Sequence, residues 1–177
     1  MNDTFKVFGI DPSTNNVGVA IYTLTSDLRI VDIITIQLVY GNDDSQLHNR
    51  LMKLGAEMSY LIDTYSPMIV AMESGFIGML RPGAFGPLSQ AIYAIQSAIT
   101  NTDRRVRINT YPPSVVKVSI GAGAHAKKDD VRGKVFSNSE LTPFISKYIS
   151  EHEVDGLAIG YTLIQLIRAN PLSLLFI

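Results

Sequence analysis

Three segments with strand character, Lys6–Asp11, Val17–Leu24 and Arg29–Gln37, follow one another with only short connections between them. Parallel neighbours need a crossover of a dozen or more residues, so these three segments are expected to form an antiparallel meander. In the second, Val17, Val19 and Ile21 alternate with small or polar residues, and the third is rich in β-branched residues. The pattern then changes period. Leu47, Leu51, Leu54, Met58, Leu61 and Tyr65 recur at steps of three and four, which predicts a helix, and Ser66-Pro67 ends it because a residue before proline avoids helical dihedrals.

The apolar run Met68–Met72 reads as a buried strand ending at Glu73, and Leu88–Ile99 as a second helix. Val106–Tyr111 gives a fifth strand, stopped by Pro112-Pro113, after which Ser114 is the expected N-cap of a short helix carrying Lys117. Further short helices are expected over residues 127–136 and 140–150. A last long helix runs from about His152 to Arg168, with Val154, Leu157, Ala158, Tyr161 and Ile164 toward the core. This order specifies an α/β fold: a mixed five-stranded sheet, three antiparallel strands first, with helices on both faces.

A chain of 177 residues with 46% hydrophobic content suits one domain spanning residues 1–177. Cysteine is absent, which excludes disulfides, thiolate metal sites and a cysteine nucleophile. The N-terminus lacks the pattern of a signal peptide, and the apolar tail from Leu157 to Ile177 is broken by Arg168 and Pro171. A soluble cytoplasmic protein without a membrane partner is expected.

The net charge is only −1, but it is unevenly spread. Arg104, Arg105, Arg107, Lys117, Lys127, Lys128, Arg132 and Lys134, against Asp129 and Asp130, give residues 104–134 a net +6 and leave the remainder at −7. Such a split suits a protein whose acidic part holds metal while its basic part meets phosphate. Three carboxylates stand where regular elements would hold them. Asp11 closes the first strand, Glu73 closes the fourth, and Asp155 lies in the first turn of the last helix, with His152 three residues earlier on the same helix face. Carboxylates set beside apolar core segments repel one another unless a cation compensates them. Hard divalent ions take such oxygen ligands, and a pair of ions can drive phosphodiester hydrolysis.

Four segments resemble a known family. Phe8-Gly9-Ile10-Asp11-Pro12-Ser13-Thr14, followed by Gly18, is similar to the opening strand and hairpin of the RuvC Holliday-junction resolvases, which have the RNase H-like fold. Ala71-Met72-Glu73-Ser74-Gly75-Phe76 is similar to their second motif, and the run Val116–Gly123 with Ala126-Lys127-Lys128 to their basic segment. His152-Glu153-Val154-Asp155-Gly156-Leu157-Ala158 resembles their closing helix, in the branch that has histidine as first ligand. The resemblance covers roughly residues 5–165. It implies Asp11, Glu73, His152 and Asp155 as ligands of Mg²⁺, with Mn²⁺ able to substitute and two ions per site. It implies Phe76 as an aromatic stacking on a base near the junction. It also places Lys117 and one of Lys127 or Lys128 beside the scissile phosphate, Lys128 being the candidate for catalysis. Lys127, Arg104, Arg105 and Arg132 are candidate DNA contacts from the basic segment.

This sequence departs from the family in places. Ser13 stands where many members have glycine, and the stretch 75–83 is richer in glycine and proline than their dimer helix. Glu151, four residues before Asp155, rivals His152 as the fourth ligand. The small size and the lack of a basic tail look more like a bacteriophage member, which would act in the host cytoplasm.

The expected activity is resolution of four-way junctions by paired nicks that leave 5′ phosphates, made by a homodimer because the junction is two-fold symmetric. Two alternatives stay within DNA chemistry: a broader flap or debranching nuclease, and a protein that binds branched DNA without cutting it. An actin-like or sugar-kinase ATPase shares the Gly9–Asn16 type of hairpin, but it needs a second lobe for which 177 residues leave no room.

Overall fold

In the computed structural model, described for residues 5–24, 28–38, 46–74, 82–102, 105–145 and 148–170, the three opening strands form the expected meander. They are β1 (Phe5–Asp11), β2 (Asn16–Leu24) and β3 (Leu28–Gln37). Antiparallel register pairs Asp11 with Gly18 across β1 and β2, and Asn16 with Gln37 across β2 and β3. The second ladder slips at Ile21 and Tyr22, where one residue is left over. On the other side of β1 runs β4 (Ile69–Glu73), parallel to it, and beyond β4 runs β5 (Arg107–Tyr111), also parallel. The sheet order is β3-β2-β1-β4-β5. Each parallel connection carries a helix: α1 (Leu47–Tyr65) before β4 and α2 (Pro82–Thr100) before β5. Then come α3 (Pro113–Ser119), α4 (Lys128–Ser137), a 3₁₀ turn at Thr142–Phe144 and α5 (Glu151–Ala169).

Strand alternation divides the core into two layers. Phe8 and Ile10 of β1, Val17, Val19 and Ile21 of β2, and Val70 and Met72 of β4 pack with Leu54, Met58 and Ile62 of α1 and with Ala91 and Ile95 of α2. The opposite parity, Val7, Ala20, Tyr22, Ile69 and Ala71, packs with α3, α4 and the length of α5. Asp11 and Glu73 share the parity of Val7 and Ile69, so both strand-end carboxylates belong to the α5 side.

The observed elements differ from the sequence expectations at three points. Ser114 is not an N-cap: the capping position is Pro112, without a side-chain bond, and Ser114 is already inside α3. A proline at the first helical position needs no amide partner, so the Pro112-Pro113 pair starts the helix two residues sooner. The helix expected over 140–150 is reduced to the 3₁₀ turn at Thr142–Phe144. Pro143 stands inside it, and Thr142 Oγ1 bonds the carbonyls of Phe136 and Asn138, holding the chain to the end of α4 instead. Finally, α2 starts six residues before Leu88 and runs through Pro87, where proline removes one intrahelical hydrogen bond without ending the helix.

The end of α1 is as expected: Ser66 adopts a left-handed conformation (φ 52°), and its amide donates to the Ile62 carbonyl. Gly55, in the middle of α1, has nothing within 4 Å of where a Cβ would stand. Gly55→Ala is therefore expected to stabilise the fold by about 0.5–1 kcal/mol. A thermal melt should show a rise of roughly 1–4 °C, and a fall would mean that α1 is bent at this residue.

Candidate active site

The end of α5 that meets the sheet is fastened by a capping box. Ser150 Oγ accepts from the Glu153 amide at 3.1 Å, and the Ser150 amide donates to Glu153 Oε2 at 2.5 Å. Ser150 Oγ also lies 2.9 Å from Thr35 Oγ1, which ties the cap to β3. The helix thus starts at Glu151, and its first turns carry His152 and Asp155. What brings this turn onto the strands is a set of four glycines. A Cβ on Gly18 would lie 1.8 Å from the His152 carbonyl oxygen, and one on Gly9 would lie 2.3 Å from Gly156 O and from Gly160 N. Only glycine permits so close an approach of backbone to backbone. Tyr22, fully buried, then donates from its hydroxyl to the Leu157 carbonyl at 2.6 Å, and fixes how far along the sheet the helix sits.

This seating brings the sequence-predicted residues together from three elements. His152 Nδ1 lies 2.9 Å from Asp11 Oδ2. The Glu73 carboxyl is pushed up to about 7, first by burial and then by the charges of Asp11 and Asp155. Asp155 is pushed up to about 6, again by burial first and then by Asp11. Glu73 therefore lies in the field of Asp11 and Asp155, and Asp155 in the field of Asp11. The hydrogen bond to Asp11 raises the His152 pKa, burial opposes this, and Asp11 and Asp155 add to the rise. Lys117 and Lys128 act in the other direction on both Glu73 and Asp155, so their ammonium groups border the same volume. Among the described residues, no three His, Asp or Glu side chains are gathered as tightly as the ligands of one ion. The donor set is nonetheless of the kind a hard divalent cation takes, and its unbalanced charge calls for one.

The remaining candidates are placed unevenly. Lys117 Nζ donates to the Ala126 carbonyl at 2.8 Å, which joins α3 to the loop before α4. Lys127, exposed, is the residue before α4, and its amide donates to Asp130 Oδ2. Lys128 pairs with Glu151, so the rival for the fourth ligand position is turned to a lysine while His152 reaches Asp11. Arg132 donates to the Ile149 carbonyl and lies over the Phe136 ring, a position that holds the segment leading into α5. Arg105 is exposed just before β5, at the opposite end of the sheet from Glu73. Six residues of strand put it roughly 20 Å away. Phe76 and Arg104 lie outside the described residues.

Two contributors escaped the sequence reading. The Ser150–Glu153 cap was legible as Ser-x-x-Glu before an apolar run. The glycine contacts had a signal only in Gly156 and Gly160, four apart on one helix face.

Comparison with known proteins bears on the family and the fold. Residues 7–163 match the family model for "Crossover junction endodeoxyribonuclease RuvC". The chain is 27% identical over 156 residues to the protein of that name from Rickettsia felis, covering 88% of this chain and 95% of that protein. It is 23% identical over 157 residues to the one from Prochlorococcus marinus strain AS9601, covering 89% and 94%. Among solved structures, the fold is similar to that of Thermus thermophilus RuvC in complex with a Holliday junction substrate, with a TM-score of 0.76 at 20% identity, covering 94% of this chain and 96% of that one. It is also similar to the yeast mitochondrial Holliday junction resolvase Ydc2, with a TM-score of 0.61 at 12% identity, covering 97% and 84%.

Proposed function

The chain belongs to the crossover junction endodeoxyribonuclease RuvC family, and from that premise we propose that it resolves four-way DNA junctions by paired, metal-dependent nicks. The observation that carries this reading is the convergence of Asp11, Glu73 and Asp155, from two strands and a helix, into one shared field bordered by Lys117 and Lys128. Asp11, Glu73, His152 and Asp155 are the residues that would hold divalent ions, two of Mg²⁺ in the reading we favour, with Mn²⁺ helped by the imidazole. Bound there, such ions supply Lewis acidity and a lowered pKa for water, the chemistry that in-line phosphodiester hydrolysis needs.

The chain's own residues do the rest. Asp11 meets His152 through Oδ2 and has its second carboxylate oxygen for a cation. The hydrogen bond holds the imidazole in one orientation. Lys128 and Lys117 stand as point charges for the phosphate oxygens of the cut strand. Their attraction to Glu73 and Asp155 is the attraction a phosphate would replace. Lys127, next to Lys128 and exposed, extends the cationic surface outward.

No described helix is long and apolar enough to cross a membrane, and we place the activity in the cytoplasm. A two-fold junction cut symmetrically calls for a two-fold enzyme. Phe85 and Tyr93, exposed on α2, leave aromatic surface for a second copy to cover.

The test uses end-labelled four-way junction, flap and linear duplex, each with Mg²⁺, Mn²⁺ or EDTA. Symmetric nicks on the junction in either metal, with none in EDTA and none on duplex, are the expected result. Equal cutting of flap and junction would broaden the activity to branched DNA in general. Binding of the junction without cleavage in either metal would overturn the nuclease assignment.

A further inference from the structure

On the other side of the Asp11 strand end lies a second feature that the proposed chemistry does not use. A cleft of about 400 Å³ opens between the β1–β2 hairpin, the start of α1 and the second turn of α2. Its walls are the aliphatic faces of Pro12, Leu47, Pro87 and Leu88, and Thr14 and Arg50 supply its polar side. Among the described residues, Arg50 is the one charged residue in that lining. Its Nη1 donates to Asn15 Oδ1 at 2.6 Å and to the Thr14 carbonyl at 3.4 Å, and so holds the hairpin that forms one wall. Its Nε is buried and has no partner among the described residues.

We propose that this cleft receives one unpaired nucleobase of the DNA strand being cut, adjacent to the scissile phosphate; the inference rests on the junction-cleaving reading above. The argument begins with chain geometry. Asp11 faces α5 and the other carboxylates, whereas Pro12, the next residue, lines the cleft. A strand whose phosphate lies against Asp11 thus has its neighbouring nucleotide beside the cleft mouth. The volume suits a single flat heterocycle and lies within the range of small-molecule pockets. Apolar walls with a few polar groups on one side match a base, which has two apolar faces and an edge of acceptors and donors. Among the described residues no carboxylate lines the cleft, so no described side chain there repels the flanking phosphates. The orphan Nε–H gains an acceptor when a base carbonyl or ring nitrogen enters and the guanidinium turns slightly toward it.

The inference is tested with 2-aminopurine placed singly at each nucleotide flanking the cut, in a four-way junction bound to wild-type protein in EDTA. Emission should rise several-fold at one position only, because the base leaves its stack for walls that, among the described residues, contain no aromatic ring. Leu88→Trp, which projects a bulky ring into the cleft, should abolish that rise and slow cleavage in metal about tenfold. Leu47→Phe narrows the cleft from the opposite wall and carries the same expectation should Leu88→Trp not fold. A junction cut normally, with emission unchanged at every position, overturns this inference alone. So does an emission rise that persists in both folded variants. A junction neither bound nor cut overturns the junction-cleaving reading, and this inference with it.

Discussion

Glu73→Gln is expected to cut cleavage by on the order of 10²-fold or more and, in EDTA at pH 8, to raise the melting temperature. The two effects have one cause. Glu73 is pushed up to about 7 from an ordinary 4.5 by burial and by the charges of Asp11 and Asp155. Its proton is therefore held more tightly in the folded chain than in the unfolded one. Stability that is present below about pH 4.5 is lost as pH rises toward 7, and the loss is complete above that. Asp155, raised from 3.8 to about 6, adds to the loss over a slightly lower range. Lys117 and Lys128 offset only part of this. The shift at Glu73 corresponds to about 3 kcal/mol at most, and its partial solvent contact brings the usable figure down to the order of 1–2 kcal/mol.

Glutamine keeps the shape and removes the charge. In EDTA the variant should melt roughly 2–8 °C above wild type at pH 8 and level with it near pH 4.5. Mg²⁺ or Mn²⁺ should raise the wild-type melting temperature at pH 8 and do little for the variant. Cleavage of the junction should fall by on the order of 10²–10³-fold or more, since a group aimed at transition-state charge is missing, and Asp11→Asn should fall likewise. A melting temperature for Glu73→Gln that tracks wild type at every pH would mean that Glu73 does not share a field with the other carboxylates. Full cleavage by either variant would remove that residue from the chemistry.

The sequence made this site readable because its two strand carboxylates obey parity. Asp11 and Glu73 are each two residues beyond a residue of the α5-facing row, Gly9 and Ala71, and alternation alone puts them on one side of the sheet. The spacing of His152 and Asp155 likewise gives a common helix face before any coordinates are known. The strands and α1 came out close to their expected bounds for a similar reason, since their periodicities are strong and their ends carry prolines or turns. Long-range relations were harder to read. Nothing local in Arg105 says that β5 enters the sheet at the far end from Glu73, because a parallel crossover decides that. The segment 140–150 has helix-like composition, but Pro143 and the Thr142 hydroxyl bond it to the end of α4. Arg50, on an ordinary amphipathic helix, shows no sign in sequence that it holds the hairpin after Asp11.

The glycines matter most among the features hidden from sequence, and Gly18→Ala should show how much. Its Cβ would stand 1.8 Å from the oxygen and 2.2 Å from the carbon of the His152 carbonyl, and 2.9 Å from the Glu153 amide. All three atoms are helix backbone, held by the Ser150 cap and unable to rotate away. The first turn of α5 would have to lift by more than an ångström, about the displacement that costs 10²-fold in a positioned site. Destabilisation of about 3 kcal/mol is expected from overpacking of this kind. The Asp11–His152 hydrogen bond, at 2.9 Å in the wild type, would open. Gly160→Ala is the informative comparison. There the closest atom is Cε2 of Tyr22, at 2.3 Å, a side chain two turns of helix away from His152. It should lose comparable stability, yet the molecules that remain folded should retain far more cleavage per molecule than those of Gly18→Ala. Urea titration gives the folded fraction of each variant, and cleavage is then compared at equal folded concentration. Equal residual cleavage in the two variants would show that the seating of the helix start on Gly18 does not position the site. A gap of about 100-fold would mean that the close contact of β2 with α5 sets the placement of His152 and Asp155 against Asp11.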